Sequence, residues 1–129
     1  MKHYVNVYNS LEFIEQNLDD KIDIGNLSKK IYLSKYYYHK IFHKITGESL
    51  AKYITKRRMI KAAEELVESD QAIIDIALKY QYSSQESFSR AFLRIYGLTP
   101  GKYRKMYSKT FSNLDDARHS YKRITNMAA

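Results

Sequence analysis

Apolar residues recur along this chain at helical spacing, and they do so twice. Ile24, Leu27 and Ile31 stand at i, i+3, i+7; after a break Tyr38, Ile41, Phe42 and Ile45 resume the same period. Further on, Ile73, Ile76, Ala77 and Tyr80 form one stripe and Phe88, Ala91, Phe92 and Ile95 the next. Each half therefore predicts a short helix, a turn and a longer helix. Ser34 and Ser83 or Ser84 are suited to cap the longer helices, because a serine hydroxyl can accept from an otherwise orphaned backbone N–H. Gly47 and Gly97 follow the last apolar positions, where a left-handed stop needs a residue without a Cβ. Between the halves, LAKYITKRRMIKAAEELVES (50–69) has no Gly or Pro and predicts one long helix with Ser49 as its cap; at 1.5 Å per residue it is roughly 28 Å long. Asn9 with Glu12 has the form of a capping box ahead of Leu11, Ile14 and Leu18, and Thr99-Pro100 opens a last short helix. The expectation is an all-α, bipartite fold of seven helices ending near Tyr107.

The two halves also align with each other. A shift of 50 residues brings SKYYYHKIFHKITGESLAKY (34–53) onto SQESFSRAFLRIYGLTPGKY (84–103), with Ser34/Ser84, Phe42/Phe92, Ile45/Ile95, Gly47/Gly97, Lys52/Lys102 and Tyr53/Tyr103 identical. With one residue of slippage the match extends upstream, Ile24–Ser34 facing Ile73–Ser83. A duplicated unit of two helices joined by a short turn is a helix-turn-helix, whose second helix lies in the major groove of DNA where the motif binds it. With Tyr38, Ile41, Phe42 and Ile45 inward, the first longer helix presents Lys35, Tyr36, Tyr37, His39, Lys40, His43 and Lys44. The second presents Gln85, Glu86, Ser87, Ser89, Arg90, Leu93 and Arg94.

Composition narrows the function. The net charge is +8, and it is regional. Lys29, Lys30, Lys35, Lys40, Lys44, Lys52, Lys56, Arg57, Arg58 and Lys61 face a single acid, Glu48, between positions 28 and 61, whereas the first 27 residues carry five acids and two lysines. Such a field suits a polyanion. The chain has no cysteine, which removes disulfides, thiolate nucleophiles and cysteine metal sites. His39 and His43 stand at i, i+4, but HKIFH lacks the glutamate of a zincin motif, so no metal site is assigned. Glu64, Glu65 and Glu68 read as a solvated face. No nucleophile with its base and no phosphate loop is present, so no catalytic residue and no cofactor is expected and the chain reads as a non-enzyme. There is no run of 18 apolar residues and no export signal near Met1, so the expected location is the cytoplasm, away from membranes.

The segments 10–67 and IIDIALKYQYSSQESFSRAFLRIYGLTPGKYR (73–104) resemble the AraC/XylS family of transcription regulators, in its small MarA, SoxS and Rob type. FSRAFLRIYGLTPGKYR is the most diagnostic part. The resemblance covers about three quarters of the chain, from Ser10 to Arg104. It implies a DNA-binding domain over 1–107, with helix-turn-helix subdomains at about 10–48 and 70–107 joined by a linker helix at about 50–68. That domain reads two adjacent major-groove segments of a promoter. Carried over by position, Tyr36, His39 and Lys40, and Gln85, Glu86, Ser89 and Arg90, become the base-reading residues. Arg90 can pair with guanine, Gln85 with adenine, and Glu86 can accept from cytosine. Lys35, Lys44, Arg57, Arg58, Ser84 and Arg94 become phosphate contacts. The implied partners are double-stranded DNA and RNA polymerase, with a small-molecule effector only if a further domain exists. Two departures stand out: the glycine common in each helix-helix turn of the family is here Tyr32 and Gln81, which carry strain if those turns need positive φ. Residues 108–129 have no counterpart in the family and read as a tail or the start of a further domain. The alternatives are the DNA-binding portion of a larger ligand-sensing regulator and a nonspecific nucleic-acid binder.

Overall fold

The computed structural model describes residues 2–108. They form seven helices: α1 (Lys2–Gln16), α2 (Ile24–Lys30), α3 (Lys35–Thr46), α4 (Leu50–Glu68), α5 (Ile73–Lys79), α6 (Gln85–Tyr96) and α7 (Pro100–Tyr107). No strand occurs among the described residues. The chain divides into two compact units. The first comprises the residues up to Ile60 together with Lys79–Gln81, and the second Lys61–Leu78 with the described residues from Tyr82 onward. The division falls inside α4, which buries Leu50, Ile54 and Met59 in its first part and Ala62, Ala63 and Leu66 in its second.

In the first unit α3 packs on α1 and α2. The core here is Val7, Ile14, Leu18, Leu27, Tyr38, Ile41, Phe42, Leu50, Ile54, Met59 and Tyr80. Tyr38 stacks against Phe42 at 6.0 Å, and Phe42 meets Tyr53 edge-on at 5.3 Å. α1 starts earlier than the capping-box reading places it. Asn9 lies within the helix, exposed to solvent, because the buried series Val7, Ser10, Ile14 and Leu18 carries the apolar stripe back toward Lys2. The buried serine is what hides this continuation in the sequence. Its hydroxyl donates to the Val7 carbonyl at 2.5 Å and accepts from the Tyr38 phenol at 2.7 Å, so α1 and α3 are joined by a satisfied polar chain.

That chain sets an alkaline limit. Burial raises the Tyr38 phenol above its ordinary range, against a smaller lowering from the bond to Ser10. The folded state therefore holds this proton more tightly than the unfolded chain does. The stability so contributed is intact below the ordinary phenol value of about 10 and is lost as pH rises from there through the folded value. In urea titrations between neutral and strongly alkaline pH, Tyr38→Phe is expected to flatten this decline while losing about 1 kcal/mol at neutral pH. A decline equally steep in both proteins would place its origin elsewhere.

The second unit repeats the plan. α6 packs on α7 around Phe88 and Phe92. Phe92 and Tyr103 meet at 5.2 Å and 79°, the same arrangement as Phe42 and Tyr53 at 5.3 Å and 80° one repeat earlier. Gly47 and Gly97 both close their helices in the left-handed region, at φ 77° and 74°. Ile95 departs from its predicted place in the core and is 46% exposed. Tyr96 takes the position instead, stacked on Phe92 at 4.6 Å and 5.4 Å from Tyr103, so the core at this end of α6 lies toward Tyr96.

Both helix-turn-helix turns need positive φ, and both use a residue with a Cβ: Tyr32 at 58° and Gln81 at 72°. Tyr32 buries almost nothing in return, being 91% exposed, whereas the Gln81 amide donates to the Asp19 carbonyl at 3.1 Å. Tyr32→Gly is therefore expected to stabilise the protein by about 0.5–1 kcal/mol, the left-handed penalty less the extra entropy of an unfolded glycine. Gln81→Gly should gain less, since it gives up that hydrogen bond. Thermal melting of the two variants measures both; a lower midpoint for Tyr32→Gly would show that the ring does something in the native state that its exposure conceals.

Candidate nucleic-acid interface

α3 and α6 are fixed at both ends by the same devices. The Ser34 hydroxyl accepts from the Tyr37 N–H at 3.2 Å and the Ser84 hydroxyl from the Ser87 N–H at 3.1 Å. At the other ends the Gly47 and Gly97 N–H groups donate to the carbonyls of His43 and Leu93, both at 2.8 Å. Four residues of each helix then recur at i, i+3, i+4 and i+7 on the side away from the core: Tyr36, His39, Lys40 and His43 on α3, and Glu86, Ser89, Arg90 and Leu93 on α6. The two stripes stand in register under the 50-residue repeat.

On α3 the three consecutive tyrosines part company. Tyr38 is fully buried, Tyr37 is about half covered and meets the His3 ring edge-on at 5.6 Å, and Tyr36 is 77% exposed. Lys35, His39, Lys40, His43 and Lys44 are exposed around it, and α3 contains no acid. On α6 Gln85, Glu86, Arg90, Leu93 and Arg94 are exposed and Ser89 is half-buried. Every residue expected to read bases thus lies on an accessible or partly accessible part of its helix. The expected phosphate set is less uniform. Lys35, Lys44 and Arg94 are open to solvent, whereas the Ser84 hydroxyl serves the first turn of α6, accepting from one Ser87 N–H and donating to the Ser87 Oγ at 3.0 Å.

Arg57 and Arg58 depart furthest from expectation. The Arg57 guanidinium grips the Glu15 carboxylate of α1 with both Nε, at 2.9 Å, and Nη2. Arg58 donates to the carbonyls of Leu18 and Asp20 at 2.8 and 2.7 Å, satisfying acceptors in the segment that follows α1. Both side chains are occupied in tying α4 to the N-terminal segment. Lys56 likewise pairs with Glu48, and Lys61 with Glu64 at 3.7 Å. Within the basic region, Lys35, Lys40 and Lys44 of α3 are exposed, as are Lys29, Lys30 and Lys52, and no acid among the described residues is paired with any of these six. Residue types and spacing alone could not show this, because the acids involved lie up to 42 residues away.

Among the described residues no cluster of three or more His, Cys, Asp or Glu could hold a metal ion, and no helix is long and apolar enough to cross a membrane.

Known proteins are similar to this chain in sequence and in fold. The family described as Helix-turn-helix domain matches residues 27–106. The Transposon Tn10 TetD protein of Escherichia coli is 42% identical over 103 residues, 80% of this chain and 75% of TetD. Regulatory protein SoxS of Escherichia coli K12 is 36% identical over 104 residues, 81% of this chain and 97% of SoxS. The DNA-binding domain of AdpA, a global transcriptional factor solved in complex with a target DNA, has the same fold, with a TM-score of 0.75 at 21% identity over 82% of this chain and 96% of that one.

Proposed function

From the premise that this chain belongs to the AraC-type helix-turn-helix family of transcription regulators, we propose that it binds promoter DNA as an asymmetric two-part reader, with α3 and α6 in adjacent major-groove segments. The observation that carries this reading is the pair of identically capped helices whose exposed stripes fall in register. Tyr36, His39 and Lys40 contact base edges in one segment, and Gln85, Glu86, Ser89 and Arg90 in the other. Lys35, Lys44 and Arg94 contact phosphates. Arg57, Arg58 and Ser84 are given internal roles instead, because Nε and Nη2 of each arginine and the Ser84 hydroxyl already serve internal partners. The DNA-binding domain reaches to about residue 107, and RNA polymerase is the second partner, through which bound regulator changes transcription.

The test is selection of duplexes from a random pool by the purified protein, followed by footprinting at near-physiological salt. An asymmetric site with two specified tracts about one helical turn apart, ~10 base pairs, is the expected result. Recovery of duplexes without a consensus, with affinity that falls steeply as salt rises, would reduce the protein to a nonspecific binder of nucleic acid.

A further inference from the structure

We infer that Leu93 is a specificity-determining residue of α6, reading the C5-methyl group of a thymine beside the base pair that Arg90 contacts. The inference rests on the proposed DNA reading and names a contact within it. Leu93 is 46% exposed and lies outside the core, where α6 buries Phe88 and Phe92. It follows Arg90 by three residues and Glu86 by seven, so all three project from one side of the helix. Around it that side carries Glu86, Ser89, Arg90 and Arg94, all able to hydrogen-bond, and Leu93 is the one member that cannot. In the major groove only one base-edge group calls for an apolar partner, and that is the thymine methyl.

Geometry limits where the thymine lies. One helical turn advances about 5.4 Å and one base pair about 3.4 Å along a strand, so a side chain one turn beyond Arg90 meets a base pair within two steps of Arg90's own. The first repeat gives the comparison. His43 occupies the same place on α3, and an imidazole there can hydrogen-bond where Leu93 can only make apolar contact. The two reading helices therefore differ in kind at their fourth stripe position, which helps to fix which half of an asymmetric site each one takes.

The experiment replaces thymines one at a time by deoxyuridine in the second tract of the selected duplex, which removes the methyl group and nothing else. Wild-type protein and Leu93→Ala are titrated against each duplex and against a scrambled control. One position within two base pairs of the Arg90 contact should cost the wild type about three- to tenfold in Kd, the scale of burying one or two methyl-sized groups, and cost Leu93→Ala nothing. Leu93→Met should retain most of the discrimination. As an exposed substitution, Leu93→Ala should melt as the wild type does. Equal losses in wild type and Leu93→Ala would assign the methyl to another residue and overturn the inference. So would a flat response at every position, or a second tract without thymine in that window. Failure to prefer the selected duplex over the scrambled one is the separate result that removes the DNA-reading proposal itself, and the Leu93 contact with it.

Discussion

Phe92→Ala is expected to destabilise the protein by about 3–5 kcal/mol, the range for deleting a fully buried aromatic ring. The ring is completely buried and lies 5.7 Å from Phe88, 4.6 Å from Tyr96 and 5.2 Å from Tyr103. Tyr103 in turn stands 4.9 Å from Tyr107, so the rings of α6 and α7 form one connected cluster with Phe92 at its junction. Alanine removes the ring's own burial and three ring contacts, and it leaves a cavity that the stiff neighbours cannot collapse into. Total stability of an ordinary domain is about 5–15 kcal/mol, so the second unit should melt far earlier or not fold. Phe92→Leu keeps much of the apolar volume and should lose less. Urea denaturation followed by tyrosine absorbance and by helical circular dichroism measures both variants. A loss below about 1 kcal/mol for Phe92→Ala would mean that the cluster is not the core of its unit.

The same ring cluster shows what the sequence makes legible. Phe42/Phe92 and Tyr53/Tyr103 align under a shift of 50, and their rings meet at matching distances and angles, so the duplication carried the packing with it. Caps are readable because their chemistry is local: a serine hydroxyl reaches an N–H three residues on, and a glycine that follows the last apolar position of a helix can take a left-handed backbone without a Cβ clash. Strain at Tyr32 and Gln81 was readable for the same reason once the turns were aligned with a family that uses glycine there. What failed depended on distant partners. Asn9 and Glu12 imitate a helix start, and only the packing of Ser10 against Tyr38 shows that the stripe runs on to Val7. Arg57 and Arg58 count as positive charge in any composition, yet Nε and Nη2 of each are engaged by Glu15, or by the Leu18 and Asp20 carbonyls. Ile95 has the right spacing for the core, but a tyrosine next to it has the better partners.

These corrections sharpen the expected behaviour on DNA. If Lys35 and Lys44 of α3 supply much of the nonspecific attraction, removing one should weaken binding to every sequence alike. Removing a base-reading group should instead change which sequence is preferred. Arg90 is the clearest candidate for the second kind, since it is exposed at the centre of the α6 stripe and its planar fork matches guanine O6 and N7. Arg90→Ala is expected to weaken binding to the selected site by about 1–3 kcal/mol, roughly 5- to 150-fold, and to relax the preference at one base pair. Lys44→Ala is expected to weaken selected and scrambled duplexes by the same factor and to lower the slope of log K against log salt by about one. Arg90→Lys separates charge from shape: it retains the positive charge but loses the bidentate fork, so it should restore nonspecific affinity without restoring the preference. Titrations of the three variants at several salt concentrations against duplexes varied at each position of the second tract give all of these quantities. An Arg90→Ala variant that loses affinity equally for all sequences, and whose salt slope falls as that of Lys44→Ala does, would move Arg90 from the bases to the phosphates. The sequence preference of α6 would then rest on Gln85, Glu86, Ser89 and Leu93.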